Sequence, residues 1–211
     1  MIIAVDGPAA SGKGTIARAL ARHYGLPHLD TGLLYRAVAA TVLDHGLDPA
    51  IEADAVASCT FDQALLADER LKNDAIGSTA SIVSAHPLVR AALLQRQRRF
   101  AAQPGGAVLD GRDIGTVIAP DATAKLFVKA TPTIRARRRH AELRAHGSDA
   151  SLDKVLADIR ARDERDSARS QAPLKAADDA VMLDTSFLSI EAAVQRAVQI
   201  VDAAAARAVG G

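Results

Sequence analysis

Tryptophan is missing from these 211 residues, and aromatic side chains make up only 3% of them. A core made by this chain must therefore be built from Ala, Leu, Val and Ile, in keeping with an apolar fraction of 49%. A single cysteine, Cys59, excludes an intramolecular disulfide and suits a reducing compartment. No uncharged apolar stretch reaches membrane-spanning length. The first residues carry neither a basic leader segment nor a small-residue cleavage site. Together these absences set the expectation of a soluble cytoplasmic protein. A charge excess is missing too: 26 Lys and Arg stand against 25 Asp and Glu, for a net charge of +1. That balance argues against a partner held by bulk nucleic-acid electrostatics. Asparagine occurs only as Asn73, so the Asn-Lys-x-Asp guanine reader of a GTPase switch is excluded despite a chance Asp74-Ala75-Ile76-Gly77. The six histidines are scattered without metal-ligand spacing and read as structural or surface residues.

What is present begins at once. Ile2 to Val5 is a short β-branched run of buried-strand type, and Ile16 to Tyr24 carries apolar residues at helical spacing. Between them lies Gly7-Pro8-Ala9-Ala10-Ser11-Gly12-Lys13-Gly14-Thr15. Strand, Gly-x-x-x-x-Gly-Lys, helix is the context of a phosphate-binding P-loop. The glycines let consecutive N–H groups line an anion nest, the helix adds the positive end of its dipole, and Lys13 adds a mobile cation. Gly14 stands where a Ser or Thr would bind magnesium, and Thr15 follows one residue later.

Strand and helix signals alternate along the chain, which predicts an α/β fold of P-loop type: a three-layer sandwich with a five-stranded parallel sheet and helices on both faces. Expected strands are Ile2–Val5, Leu26–Leu29, Ala107–Leu109, Lys125–Lys129 and Ala180–Leu183. Expected helices run from Ile16 to Tyr24, Leu33 to about Asp44, Ser81 to Ala102 with a kink or restart at Pro87, Thr131-Pro132 to Gly147, Ser151 to about Ser167, and Ser189 into the tail ending at Gly210-Gly211. Residues 47–77 are weakly patterned, and Cys59-Thr60-Phe61 is a candidate strand piece. The chain reads as one domain, 1–211, with a small insertion at 47–81 and a lid near 138–152 hinged at Gly147.

Three constellations follow strand or helix ends, where open α/β sheets hold ligands. Asp30-Thr31-Gly32-x-x-Tyr35-Arg36 feeds a helix, and its plain reading is an N-cap with a surface arginine. Asp110-Gly111-Arg112-Asp113-Ile114-Gly115-Thr116 places a carboxylate suited to magnesium or its water shell beside an arginine suited to phosphate. Arg162, Asp166 and Arg169 are spaced four and three apart, so they share a helix face; a solvated, salt-bridged helix explains that stretch equally well. A further basic run, Arg135-x-Arg137-Arg138-Arg139-His140, lacks interleaved aromatics for base stacking and suits a kinase lid better than RNA binding.

GPAASGKGT, LDTGLLYR, ASIVSAHPLVRAALLQRQR, LDGRDIGT and RDERDSAR occur in the order found in bacterial cytidylate kinases, and the chain resembles that family over nearly its whole length. The resemblance implies transfer of the ATP γ-phosphate to CMP or dCMP with magnesium, in pyrimidine nucleotide metabolism. The GKGT ending is typical of nucleoside-monophosphate kinases, with magnesium relying on water, nucleotide and the acidic loop, hence Asp110. By matching position, Gly7, Pro8, Ala9, Ala10, Ser11, Gly12, Lys13, Gly14 and Thr15 would bind ATP, joined by Arg138. Thr31, Arg36, Arg112, Arg162 and Arg169 would surround the monophosphate and the transferred group, with Gly111 beside them. Ser81, Arg90 and Asp113 would read cytosine, and Asp166 the ribose. Lys13, Arg112, Arg162 and Arg169 would stabilise charge; no general base is named, because the attacking phosphate is already anionic. Two departures from the family stand out: the 47–77 region is abbreviated, and Lys72 occupies a position usually held by arginine. The implied partners are small molecules, with no nucleic acid or membrane, and a monomer is expected. The alternatives are a P-loop kinase for another nucleoside monophosphate or a metabolite, a GTPase-type switch, and an RNA-binding module.

Overall fold

The computed structural model describes residues 1–145 and 147–209. His146, inside the expected lid, and the expected tail end Gly210-Gly211 lie outside the described residues. Contacts divide the chain into two compact units: Met1–Leu29 with Arg98–Gly211, and Asp30–Gln97.

The first unit is organised by the sheet. Strands β1 (Ile2–Asp6), β2 (His28–Asp30), β3 (Ala107–Gly111), β4 (Ala124–Lys129) and β5 (Val181–Asp184) lie in the order β2-β3-β1-β4-β5. β1 runs parallel to both neighbours, with Asp6 opposite Gly111 on one side and Phe127 on the other, and β4 runs parallel to β5. Buried β-branched and aliphatic runs are what a sheet covered on both faces requires. Helix α1 (Lys13–Tyr24) and helix α8 (Ile190–Val209) carry one covering layer, where Ile16, Leu20, Ala197 and Val201 close over Ile3, Val5, Leu126 and Val128. Helices α6 (Pro132–Ala145) and α7 (Leu152–Ala168) pack on each other through Ala136, Leu143, Val155 and Ile159. The local signals act as expected: Ser151 Oγ accepts from Lys154 N–H at 3.3 Å, and Ser189 Oγ from Ala192 N–H at 3.1 Å. Gly147, in the connection between α6 and α7, has φ +83°.

The second unit is helical. Its elements are α2 (Thr31–Asp44), α3 (Glu52–Ala57), two 3₁₀ turns at Gln63–Ala67 and Glu69–Lys72, α4 (Asp74–Val83) and α5 (Pro87–Ala101), the last of which runs on into the first unit. Leu34, Val38, Val42, Leu71, Ile76, Val83, Val89 and Leu93 are buried in it. The strand expected around Cys59-Thr60-Phe61 is absent: the segment lies beyond the end of α3 and is unpaired. Three alternating residues have too little ladder to hold themselves, whereas Asp62 and Asp68 each accept a turn N–H and start 3₁₀ turns instead. The helix expected from Ser81 begins earlier, at Asp74, because Asn73 Oδ1 caps Ile76 N–H at 2.8 Å. It stops at Val83, and Pro87 opens a separate helix, so of the kink or restart expected there the structure shows the restart. β2 and β3 extend past Leu29 and Leu109, so Asp30 and Asp110 belong to strands.

Candidate active site

β1 delivers the chain into the glycine-lysine loop, and the loop's shape follows from two glycines. A Cβ on Gly7 would lie 2.1 Å from the Val128 carbonyl oxygen, so β4 approaches there more closely than any side chain allows. Gly12 has φ +90°, the left-handed region, and Ala10 shares that region at φ 57°. Alternating handedness of this kind makes a backbone anion nest. The loop's carbonyls are held from outside: Arg135 Nη1 donates to Ala9 O at 3.2 Å, and Thr185 Oγ1 donates to Ser11 O at 2.9 Å. Since N–H and C=O of one peptide unit point in opposite directions, these bonds turn the Ala10 and Gly12 N–H groups the other way. Gly12 caps α1 without a side chain, so no side-chain oxygen competes for an anion at that terminus. Lys13 Nζ lies 3.5 Å from Pro8 O, folded back over the loop.

Arg138, expected on the nucleotide side, spans the same region. Its Nη1 donates to Thr185 Oγ1 at 3.0 Å, and its Nη2 donates to Thr185 O at 2.7 Å. Buried Arg135 is fixed by Asp163 of α7 and by Ala130 O at 2.9 Å. Arg135 and Arg138 of the basic run thus brace the loop from α6. Arg135 was legible only as a member of the basic run and Asp163 only as a member of the charged RDERDSAR stretch, while Thr185 carried no signal at all.

Asp110 is buried at the end of β3. His28 Nε2 lies 2.7 Å from its Oδ1, and a Cβ on Gly14 would lie 3.6 Å from its Oδ2. The second carboxylate oxygen therefore faces the start of α1. His28 is a structural histidine, as expected, but one that orients a site carboxylate. Two residues on, Arg112 Nε donates to Asp166 Oδ2 at 2.8 Å, and Arg169 Nη2 donates to Asp166 Oδ1. Asp166 is 1% exposed. Burial alone would raise its pKa, but Arg112, Arg169 and Arg162 outweigh it and hold the carboxyl below its usual range. The solvated-helix alternative for this stretch is thus replaced by a buried arginine–carboxylate cluster. Arg112 Nη1 also lies 3.4 Å from Gly111 O. Asp113 is buried at the start of a single π-helical turn, Ile114–Ile118.

The remaining candidates lie in the second unit. Asp30 Oδ1 caps Gly32 N–H at 2.9 Å and starts α2 at Thr31, which is buried. Arg36 projects from α2, where its Nη1 donates to the Leu71 and Asn73 carbonyls, and a Cβ on Gly77 would lie 3.0 Å from its Nη2. Ser81, on α4, is 1% exposed, and its carbonyl accepts from Ser84 Oγ at 3.2 Å. Arg90, on α5, donates through Nη1 to Ser84 O at 3.4 Å, and its guanidinium lies 5.7 Å over the Tyr35 ring. Ser84 and Tyr35 therefore link Ser81, Arg90 and α2, a grouping that sequence spacing does not reveal. Lys72, the departure from arginine, pairs with Glu69 at 2.7 Å on the surface. Among the described residues no group of three or more His, Cys, Asp or Glu could hold a metal ion, and no helix is long and apolar enough to cross a membrane.

Comparison with known proteins gives the family and the fold. The family model for cytidylate kinase matches residues 3–203. A cytidylate kinase of Xanthobacter autotrophicus is 63% identical over 203 residues, covering 96% of this chain and 98% of that protein. One from Azorhizobium caulinodans is 59% identical, covering 97% and 99%, and one from Nitrobacter winogradskyi is 57% identical, covering 98% of each. Among solved structures, an uncharacterized protein from Eubacterium ventriosum aligns at TM-score 0.56 and 16% identity, over 96% of this chain and 98% of its own. A sugar kinase from Janibacter aligns at TM-score 0.51 and 15% identity, over 97% and 95%. These two likenesses concern the fold alone.

Proposed function

The chain belongs to the cytidylate kinase family and transfers the γ-phosphate of ATP to CMP or dCMP, and we propose that it does so with the residues its glycine-lysine loop and arginine clusters supply. The family match over residues 3–203 carries the reaction. For the residue roles, the support is chemical. Residues 7–15 cradle the ATP phosphates through backbone N–H groups, Lys13 answers the β- and γ-phosphate charge, and Arg138 supports the nucleotide side by holding the loop. Arg112, Arg162 and Arg169 surround the group in flight, where negative charge spreads over several oxygens. Thr31 and Arg36 hold the acceptor phosphate, with the Gly111 backbone beside Arg112. Ser81, Arg90 and Asp113 read cytosine, whose N4 amine donates and whose N3 and O2 accept. Asp166, kept ionised by its arginines, accepts from the ribose and sets the arginines in place. The attacking phosphate needs no base, so positioning and charge stabilisation suffice.

Magnesium, which the reaction class requires, fits the residues present: Mg²⁺ takes one or two carboxylates and completes its shell with phosphates and water. Asp110, with Oδ1 fixed by His28 and Oδ2 facing Gly14, is that carboxylate. Asp110 would hold the ion there, and the ion's positive charge would offset the negative charge of the nucleotide phosphates. We assign residues 47–81 to the acceptor-binding insertion and 138–152 to a lid, within one cytoplasmic, monomeric catalytic domain. Asp113→Asn tests the base-reading assignment. An amide both donates and accepts, so the ratio of CMP to UMP turnover should fall about tenfold or more, since polar mismatch is what supports discrimination. An unchanged ratio would remove Asp113 from cytosine recognition.

A further inference from the structure

Asp6 is the last residue of β1, immediately before Gly7, and no role in the reaction has been given to it above. It is 4% exposed. Its Oδ1 accepts from Ile114 N–H and its Oδ2 from Gly115 N–H, each at 2.8 Å. Two successive N–H groups at the start of a helical turn form an anion site, and here a carboxylate of the protein's own fills it. The turn it fills follows Arg112 and Asp113 directly. Across the sheet Asp6 sits opposite Gly111, the residue before Arg112. The Asp110–Gly115 loop is thus pinned at both ends by buried carboxylates, Asp110 on His28 and Asp6 on the turn.

From this geometry we infer that Asp6 is a positioning residue for phosphoryl transfer: its carboxylate, gripping the Ile114 and Gly115 amides, sets Arg112 and Asp113 relative to the ATP loop that begins at the next residue. Only a carboxylate offers two acceptor oxygens in this place. Burial opposes the charge, pushing Asp6 up to about 7 against the pull of the two amides. A residue kept merely to fill space would not be a buried acid. The inference rests on the assignment of Arg112 to the transferred group.

Asp6→Asn replaces one acceptor oxygen by an NH₂ that opposes an N–H donor. If Asp6 acts through Arg112, this variant lowers kcat/KM for CMP about tenfold or more in the parent but less than about threefold in an Arg112→Ala background, while KM for ATP moves less than about threefold. A full tenfold loss in both backgrounds, or a loss below about twofold in the parent, overturns the inference. If Arg112→Ala alone leaves kcat/KM for CMP unchanged, it is the Arg112 assignment that fails. Should Asp6→Asn not fold, Gly115→Ala carries the test: its Cβ would lie 3.4 Å from Asp6 Oδ2 and 3.2 Å from Lys125 Cδ, crowding the grip from the other side. The same background dependence is expected at smaller size, and its absence has the same meaning.

Discussion

Asp166 joins structure to chemistry most tightly at the level of a single side chain. It is buried, accepts from Arg112 and Arg169, and is held below the usual carboxylate range by them and by Arg162 despite its burial. Removing one partner of such a buried cluster leaves charge uncompensated, at a cost of about 3–5 kcal/mol. Asp166→Ala is therefore expected to lower the urea midpoint sharply, and to hurt CMP more than dCMP if its carboxylate holds the 2′-hydroxyl. Equal losses for the two acceptors would confine it to positioning arginines. Because its folded pKa is depressed, the stability it contributes is present above about pH 4 and lost as pH falls below that. Lys13 differs in kind, since its Nζ lies 3.5 Å from the Pro8 carbonyl oxygen on the glycine-lysine loop. Lys13→Ala should fold normally and lose about 10²–10³ in kcat, the usual size of one lost charge-stabilising donor. Parent-like turnover would take Lys13 out of the mechanism.

Among the elements, α2 and α4 carry the most informative contact. Arg36 donates to the Leu71 and Asn73 carbonyls with its guanidinium packed against Gly77, where a Cβ would lie 3.0 Å from Nη2. Gly77→Ala should shift the guanidinium by a few tenths of an ångström and raise KM for CMP about threefold or more with KM for ATP unchanged, because a Cβ there would lie 3.0 Å from Arg36 Nη2. Steady-state kinetics with each substrate varied in turn reads this directly, and a parallel rise for ATP would contradict it. Arg36 was legible in LDTGLLYR, but its neighbour Gly77 was not, since it lies in a stretch that looked like a chance GTPase fragment. The strands, α1 and the caps at Ser151 and Ser189 were legible because period and cap chemistry are local. The 3₁₀ turns and the early start of α4 escaped because Asx caps at Asp62, Asp68 and Asn73 decide them one residue at a time.

At the scale of the whole molecule, the sheet puts three loop systems at strand ends: the glycine-lysine loop after β1, the Asp110–Gly115 segment at β3, and Thr185 after β5. Asp6 lies among them and leaves a thermodynamic mark. Its folded pKa is raised from 3.8 to about 7, so between those values the native state keeps a proton that the unfolded chain has released. Its contribution to stability therefore falls as pH rises from about 4 to about 7, by a few kcal/mol at most. Urea midpoints at pH 5 and pH 7.5 should drop more in the parent than in Asp6→Asn; the same drop in both would place the titration elsewhere. The candidate site was legible wherever a motif marked it. Asp6, His28 and Thr185 were not marked, and Tyr35 and Arg135 stood in marked motifs without a role, since each acts across the fold on a partner far away in sequence. The central claim, that ATP phosphorylates CMP on this chain, is tested most directly by coupled ADP release with CMP, dCMP, UMP and AMP as acceptors. Rapid turnover of CMP and dCMP with slow turnover of UMP and AMP is the expected result, and equal turnover of all four, or none with CMP, would contradict it.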